Sequence, residues 1–539
     1  MDSHCTYIPY EQTGFFSPLV TDYLAQSNSL QHFYTYSPDE AGIRKAITER
    51  ANYPVNRIVL VTTLQEQYSH LECCKAVTDN IAALANENTF SVCTAHQPNL
   101  LTGYLYFIYK IAHAIQLANH LNKTYPDKHF VPVYYMGSED NDLDELGTFR
   151  YGAKKYIWDG NGQQGAVGRM QSHSLKTLLD DLFKVLGPPG EYTAQLKDIL
   201  QQAYLHHNTI GEATRYLVNE LFGQYGLVVL DPDDAAFKKE ILHIIKDDLL
   251  HHTANGIVSR QAARLAEQYK SQAYPRDINL FYLHDNLRER IERSGDKWVV
   301  LNTDITWTEE ELIDELEAHP ERFSPNVILR GLLQESILPN VAFIGGGAEV
   351  AYWLQLKELF THYKVFYPVI MLRQSVLWIE PKAVELQQKL GITTQELFKP
   401  YEELAKAHVS DNSQHNLSTA TEQNTLEAVI KQLKDKAVSL DPTLAASAEA
   451  ALAKIKHQLA VLEQKMLRAE KRKHETELQR IAKLKNMLFP NNSLQERIEN
   501  FIEYYPLHGQ AFIDIIVRCI APLKNEFLVI GRGGEQSKL

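Results

Sequence analysis

Short apolar runs, rich in β-branched and aromatic residues, alternate with helical patterns along the first 380 positions. The runs cover residues 90–95, 130–137, 226–234, 297–302, 341–349 and 366–373. Apolar runs of about four to seven residues without polar alternation are typical of strands that are buried on both faces. Together with the intervening helices, they predict a Rossmann-like, doubly wound α/β core around a parallel sheet. Ligands of such sheets bind at the carboxyl ends of the strands.

The pattern loosens in two segments of this core. Residues 151–220 contain the turn-rich stretch "WDGNGQQGAVG" and the helix-breaking "LGPPGEY", and residues from about 273 to 304 are also irregular. We interpret both as connecting segments that are inserted into the core. The predicted core domain therefore spans residues 1–380.

From residue 381 the sequence becomes rich in Ala, Leu, Lys, Glu and Gln. Apolar residues recur at alternating three- and four-residue steps, at Leu452, Ile455, Leu459, Leu462 and Met466. This spacing is the seam of a coiled coil. With a break at "SLDPT", it predicts an antiparallel helical hairpin as an arm over residues 381–488. Residues 489–539 are predicted to return to the core as one helix (493–505) and one strand (525–531).

Composition restricts the classes of partner. The formal net charge is −13, which argues against binding to nucleic acid or to an anionic membrane. No apolar stretch approaches the roughly 20 residues that span a bilayer, and we expect no signal peptide. The five cysteines include no C-x-x-C pair, which predicts reduced thiols in a cytoplasmic protein. Residues 537–539 match a peroxisomal address, but a match of three letters is common by chance.

The turn after the run at 90–95 is crowded with polar groups. Its residues are His96, Gln97, Asn99, Thr102 and Gly103, with Lys110 two turns into the following helix. A strand that leads into a helix leaves backbone N–H groups and a positive helix end where anions bind. The alternative is a well-capped turn with a buried histidine.

Carboxylates crowd the end of the next run, in "GSEDNDLDEL". They include Glu139, Asp140 and Asp142. Like charges at this spacing cost stability unless cations or helix ends offset them. The cluster predicts a site for an ammonium group, for Mg²⁺ or for a general base. The alternative, an acidic helix N-terminus, does not need so many acids.

A third polar corner follows the run at 341–349, in "FIGGGAEVAYW". Its candidate residues are Gly345, Gly346, Gly347, Glu349 and Tyr352. The glycines allow a ligand to approach the backbone closely at the start of a helix.

A fourth corner follows the run at 366–373 and holds Arg373 and Ser375, while "SPNVILR" ends at Arg330. Arginine suits a carboxylate or a phosphate. For each arginine the alternative is a structural salt bridge.

Several of these segments resemble the bacillithiol-biosynthesis family BshC. The segments are "RFSPNVILRGLLQESILPNVAFIGGGAEVAYWLQLKELF", "PVIMLRQSVLWIEP", "LLTGYLYFIYKIAHAIQLA", "VPVYYMGSEDNDLDEL" and "LFPNNSLQERIENF". The resemblance implies a core similar to class I aminoacyl-tRNA synthetases and a coiled-coil arm that supports a homodimer. It also implies the last step of bacillithiol synthesis, in which the carboxyl of cysteine is joined to the amine of glucosaminyl-malate. Where family members often carry "GQQ", this chain has Ala95-His96-Gln97.

This activity requires an activated cysteine carboxylate, and we expect ATP as its source. The predicted catalytic residues are His96, Glu139, Asp140, Asp142 and Arg373. The predicted substrate- or nucleotide-binding residues are Gln97, Asn99, Thr102, Gly103, Lys110, Arg330, Gly345, Gly346, Gly347, Glu349, Tyr352 and Ser375. Mg²⁺ is a candidate cofactor, and we expect no zinc because no Cys/His set has suitable spacing.

Two other functions fit the same patterns. One is a nucleotidyl- or glycosyl-transfer enzyme of the same architecture, which would consume a nucleotide-sugar and no cysteine. The other is a non-catalytic, dimeric nucleotide-binding scaffold, which would bind without turnover.

Overall fold

The structure is a computed structural model that describes residues 3–413 and 418–532. The strands are β1 (Ser3–Pro9), β2 (Thr89–His96), β3 (His129–Met136), β4 (Thr148–Tyr151), β5 (Lys154–Ile157), β6 (Val228–Leu230), β7 (Leu280–His284), β8 (Leu287–Ser294), β9 (Lys297–Val300), β10 (Thr306–Trp307), β11 (Phe323–Pro325), β12 (Asn340–Gly345), β13 (Val369–Leu372), β14 (Val376–Ile379) and β15 (Glu526–Arg532). The tripeptide 537–539 lies outside the described residues.

The α-helices run between and around these strands. They are α1 (Pro18–Leu24), α2 (Glu40–Arg50), α3 (Arg57–Tyr68), α4 (Lys75–Ala83), α5 (Tyr106–Thr124), α6 (Leu143–Leu146), α7 (Lys176–Phe183), α8 (Glu191–His206), α9 (Ile210–Phe222), α10 (Ala235–Lys239), α11 (Leu242–His251), α12 (Thr253–Ala266), α13 (Glu309–Ala318), α14 (Arg330–Ile337), α15 (Gly347–Trp353), α16 (Lys357–Tyr363), α17 (Pro381–Leu390), α18 (Tyr401–Asn412), α19 (Ala420–Leu440), α20 (Leu444–Lys471), α21 (Glu475–Leu488), α22 (Tyr505–His508) and α23 (Ala511–Cys519). Within the described residues, no helix is both long enough and apolar enough to span a bilayer.

The central sheet is parallel and has the strand order β13–β12–β2–β3–β6. Along the chain, β2, β3 and β6 are added toward one edge, and β12 and β13 toward the other. The order therefore reverses between β2 and β12, which is the topological switch point where Rossmann-like sheets bind ligands. Helix α5 packs against β2 and β3 with most of its residues buried. The predicted Rossmann-like fold is confirmed.

One of the six predicted runs does not join this sheet. Residues 297–300 form β9 in an antiparallel sheet of order β10–β9–β8–β7–β11. This sheet lies along the chain between β6 and β12, within and beyond the second predicted insertion. A run of apolar residues shows that a strand is buried, but it does not identify the strand's partners.

A third sheet, of order β1–β15–β14, brings both ends of the described chain together. Strand β1 is antiparallel to β15, and α23 precedes β15. This arrangement joins Cys5 and Cys519 in a disulfide, with Cα atoms 6.1 Å apart. The prediction of reduced thiols is therefore wrong for this pair, because the pairing of distant segments was not visible in cysteine spacing. Cys73, Cys74 and Cys93 are free.

The arm is the predicted antiparallel hairpin, made by α19 and α20. Ion pairs join Glu427 to Lys456 and Lys434 to Glu449. Later residues of α19 therefore pair with earlier residues of α20, as in an antiparallel hairpin. The long second helix is interrupted by a 3-10 turn at Arg472–His474, where the apolar seam ends, and continues as α21.

The predicted helix over residues 493–505 is wrong. The segment forms short 3-10 turns at Gln495–Arg497 and Phe501–Glu503. Its side chains are used in contacts with the core, which are described below. The predicted final strand is confirmed as β15.

Candidate active site at the switch point

A cavity of about 260 Å³ opens where β2 and β12 end. We call it the switch-point cavity. Its lining includes the predicted residues His96, Gln97, Lys110, Arg330, Gly346, Gly347, Glu349, Tyr352 and Arg373. It also includes Ala95, Tyr106, Ala348 and Arg497, which sequence analysis did not select. Residues from five separate segments thus meet at the point that the strand order marks.

Lys110 and Glu349 form an ion pair across this cavity. The Lys110 ammonium also donates to the carbonyl of Ala95 at 2.9 Å, and the Glu349 carboxylate accepts from the N–H of Gly346 at 2.8 Å. Burial lowers the pKa of Lys110, and the Glu349 carboxylate opposes that shift. Glycine is required at 345, because a Cβ there would come within 2.9 Å of the Cβ of Glu349.

The His96 ring lies in the cavity wall against the rings of Tyr106 and Phe107, with centroid distances of 5.3 and 5.5 Å. Its Nε2 is buried and has no hydrogen-bond partner among the described residues. Burial, followed by the charges of Lys110 and Arg330, lowers the pKa of His96 well below its usual value. The imidazole is therefore neutral near pH 7 and can accept a proton.

Arg373 is buried and pairs with a residue from the C-terminal segment. Its Nη1 and Nη2 donate to the carboxylate of Glu496 at 2.7 and 2.6 Å. Its backbone N–H donates to the carbonyl of Gly345 at 2.7 Å, which ties the ends of β13 and β12 together. The structural salt bridge considered for this arginine is present, yet the side chain also lines the cavity.

Arg330 and Arg497 give the cavity a positive character. Arg330 donates to the hydroxyl of Tyr352 at 3.2 Å. In the described part of the chain, no carboxylate lies within 4.0 Å of either guanidinium. Two guanidinium groups without a carboxylate partner suit an anionic ligand.

A second cavity of about 370 Å³ is also lined by residues 346–348. We call it the adjoining cavity. It shares Arg373 and Arg497 with the switch-point cavity, and Ser375 lines it. Phe15 and Tyr269 form an aromatic part of its wall.

The predicted residues Asn99, Thr102 and Gly103 lie in the turn between β2 and α5, outside the lining of both cavities. Thr102 and Gly103 have positive φ angles of 65° and 67°. Asn500 of the C-terminal segment donates to the carbonyl of Leu101, at 3.0 Å, and to that of Gly103. The turn is therefore held in a strained conformation by a distant part of the chain.

The N-terminus of α5, which follows this turn, is also hydrogen-bonded to the C-terminal segment. The N–H of Leu105 donates to the carbonyl of Glu499 at 2.9 Å. These contacts leave fewer free donors at the first corner than a strand-to-helix turn alone would offer.

The acidic cluster lies at the end of β3, beside the switch-point cavity. Glu139 is buried and forms an ion pair with the fully buried Lys238. Burial raises the pKa of Glu139, and Lys238 opposes that rise. Lys238 also donates to the carbonyl of Phe323 at 3.1 Å. The cation that sequence analysis expected from a ligand is here supplied by the protein.

The other two acids have different surroundings. Asp140 accepts from Nε2 of Gln97 at 3.1 Å, and Arg288 lies 3.8 Å away. Asp142 is exposed and caps α6 by accepting from the N–H of Glu145 at 3.2 Å. Asp140 thus reaches the cavity through Gln97, whereas Asp142 acts as a helix cap. In the described residues, no group of three or more His, Cys, Asp or Glu side chains is placed to hold a metal ion.

Sequence analysis missed the cations and anions that complete these pairs. Glu496 and Arg497 stand in "SLQERIENF", which looked like an ordinary helix. Lys238 stands in α10 and has no distinguishing local pattern. Their segment was singled out by the family resemblance, and "FPNNSLQER" within it is a candidate wall for a second nucleotide pocket beside the arm.

Comparison with known proteins identifies the family. The model described as "Bacillithiol biosynthesis BshC, N-terminal Rossmann-like domain" matches residues 1–374, and the one described as "Bacillithiol biosynthesis BshC, C-terminal coiled-coil domain" matches residues 376–531. A solved structure titled as a putative arginyl-tRNA synthetase from Campylobacter jejuni is 12% identical. It covers 84% of this chain and 100% of that chain with a TM-score of 0.23, too low to support a conclusion.

Three relatives share the name "Putative cysteine ligase BshC". The protein from Flavobacterium psychrophilum is 40% identical over 97% of this chain and 98% of its own. The protein from Flavobacterium johnsoniae is 39% identical over 97% and 99%, and the one from Christiangramia forsetii 38% over 99% and 100%. Because the domain models and these relatives match nearly the whole chain, the protein belongs to the BshC family of bacillithiol biosynthesis.

Proposed function

We propose that this chain is a ligase that joins the carboxyl of L-cysteine to the amine of glucosaminyl-malate. The observation that carries the proposal is the switch-point cavity. It combines a neutral histidine with an unpartnered Nε2 and arginines without carboxylate partners. The histidine can accept a proton, and the arginines can hold anionic substrates. The names of the relatives support cysteine as one substrate, and the family resemblance implies glucosaminyl-malate as the other.

The reaction forms one C–N bond and breaks the bond between the cysteine carbonyl carbon and its activating group. The amine nitrogen attacks that carbon, the activating group leaves with the bonding electron pair, and the nitrogen loses a proton. We assign acceptance of this proton to Nε2 of His96, because His96 lines the cavity and its Nε2 has no hydrogen-bond partner among the described residues. Lys110, Arg330 and Arg497 would stabilise the negative charge that develops on oxygen atoms.

We propose ATP as the source of activation. The two cavities share the lining residues 346–348, and together they offer guanidinium groups for phosphates and the rings of Phe15 and Tyr269 for a planar base. Arg373 and Arg497 contribute to both cavities and would hold phosphate oxygens. Mg²⁺ would enter with ATP, held by phosphate oxygens and water.

We also propose a homodimer formed through the arm. Helix α19 has no buried residue. Apolar side chains stay exposed on the hairpin, including Val429 at 46%, Leu433 at 50% and Leu462 at 49%. Such a surface suits a second copy of the same hairpin.

The test is mass spectrometry of small thiols in the native host with the gene deleted and then restored. Loss of bacillithiol with accumulation of glucosaminyl-malate, reversed by restoration, is the expected result. Unchanged bacillithiol would contradict the proposal. It would direct attention to nucleotide-sugar consumption, which a transferase predicts, or to binding without turnover, which a scaffold predicts.

A further inference from the structure

Glu496 is a fully buried carboxylate that is hydrogen-bonded to Arg373, which lines both cavities. It accepts from Nη1 and Nη2 of Arg373, from Oγ of Ser375 at 3.1 Å and from the N–H of Val376 at 3.3 Å. Glu496 has 0% exposure and Arg373 has 3%. Four donors on one carboxylate leave it no position from which to contact a ligand.

These bonds determine which edge of Arg373 is free. Nη1 also donates to Oγ of Ser375 at 3.2 Å. Nε is buried and has no partner among the described residues. A Cβ built on Gly346 would lie 3.9 Å from this Nε. The unpartnered N–H therefore lies beside the backbone of Gly346, which lines both cavities.

A buried donor without an acceptor in a native protein needs an explanation. Arginine side chains have several rotatable bonds and lose substantial entropy when ordered. The bidentate pair with Glu496 holds the guanidinium in one orientation before any ligand arrives. An arginine that was only structural would not need its remaining N–H directed at a cavity wall.

We infer that Glu496 is a positioning residue, which fixes Arg373 so that its Nε–H donates to an anionic oxygen of a ligand bound over Gly346. The shared chemistry is a phosphoryl or carboxylate oxygen. The choice between these two ligands rests on the proposed function, in which ATP supplies the phosphoryl oxygen and the malate group of the acceptor supplies the carboxylate oxygen.

Calorimetric titration of the full-length protein with ATP, and separately with malate, distinguishes the two sources. Gly346→Ala places a methyl group 3.9 Å from Nε of Arg373 and leaves the ion pair intact. The new Cβ would have no neighbour closer than 3.5 Å, and the φ of Gly346 is −74°, so alanine fits. Loss of one charge-assisted hydrogen bond predicts affinity for one of the two probes lower by roughly ten- to a hundredfold.

Glu496→Gln should weaken the same probe by a similar factor, because the guanidinium loses its bidentate partner. Glu496→Gln can also disturb folding, so the double variant Arg373→Met with Glu496→Gln is needed. It leaves no charge without a partner. If Glu496 acts through Arg373, the double variant binds as weakly as Arg373→Met alone. If the pair is only structural, the double variant regains wild-type affinity, and the inference is wrong.

Gly256→Ala is the matched control. Gly256 lies in α12, and an added Cβ would meet only Nη1 of Arg260, at 3.5 Å. It should leave both affinities unchanged. Wild-type affinity in folded Gly346→Ala and Glu496→Gln, or binding of neither probe by the wild-type protein, would overturn the inference. If the wild-type protein binds a probe but its gene does not restore bacillithiol to the deletion strain, the proposed function is contradicted and the inference about Glu496 is not.

Discussion

Replacement of Lys238 by methionine tests how the acidic cluster at the end of β3 is stabilised. The side chain of Lys238 is 0% exposed and that of its partner Glu139 is 10% exposed. Removing one member of a buried ion pair leaves the other charge uncompensated and costs about 3–5 kcal/mol. Lys238→Met should therefore lower the thermal midpoint strongly. Lys239→Met, at the exposed neighbouring position, is the control and should change it little.

The pH dependence makes this prediction specific. Burial already raises the pKa of Glu139, and Lys238 is the largest influence that lowers it. In Lys238→Met the pKa of Glu139 should rise further. A raised pKa in the folded state gives stability that is complete below the unfolded pKa and is lost as the pH increases. The free energy of unfolding of the variant should thus be closest to that of the wild type near pH 5 and furthest below it near pH 8.

Scanning calorimetry at matched ionic strength from pH 5 to pH 8 measures this difference. The double variant Lys238→Met with Glu139→Gln leaves no unpaired charge and should recover much of the lost stability at pH 8. A destabilisation that is equal at all pH values, or a double variant no more stable than Lys238→Met, would show that an uncompensated Glu139 charge is not the cause of the instability. A stable double variant without turnover would support the catalytic role predicted for Glu139.

Three further predictions concern other parts of the molecule. His96→Gln should lower turnover by about 10²–10⁴ with an unchanged thermal midpoint, and the wild-type kcat profile should show no histidine limb near pH 6.5; a limb there would contradict the lowered pKa of His96. Burial raises the pKa of Glu335 from 4.5 to about 7, so its stabilising contribution is complete below pH 4.5 and is lost as the pH rises through 7. Glu335→Gln should then raise the free energy of unfolding at pH 8 by up to about 3 kcal/mol. A stabilisation at pH 8 no larger than that at pH 5 would contradict this prediction. Leu433→Lys should shift the protein toward monomer in sedimentation equilibrium, whereas an unchanged mass would place the dimer contact elsewhere.

The fold could be predicted because buried parallel strands leave a strong local signal. Five of the six apolar runs form the central sheet, including the fully buried β12. The run at 297–302 has the same texture, yet β9 pairs in an antiparallel sheet. The periodicity of apolar residues indicates which strands are buried. Which strands pair with each other depends on contacts between distant segments of the chain.

The site was predictable to the extent that its residues follow strands. His96, Gly346 and Arg373 each stand at a strand end, and the parallel sheet brings these ends together. Glu496 and Asn500 could not be found in this way. Their segment has the apolar spacing of a helix, but hydrogen bonds to Arg373 and to the turn after β2 hold it in short 3-10 turns.

The switch-point cavity is proposed to join an activated cysteine carboxyl to an amine. The most direct test incubates the purified chain with ATP, glucosaminyl-malate and cysteine labelled with ¹⁸O in its carboxylate. The expected result is the amide product in the mass spectrum, with one labelled oxygen retained and one transferred to the phosphate-containing product of ATP. Wild-type protein should do this and His96→Gln should do it far more slowly. Absence of the amide, or an amide whose second labelled oxygen is released as water, would contradict activation of the carboxyl by ATP.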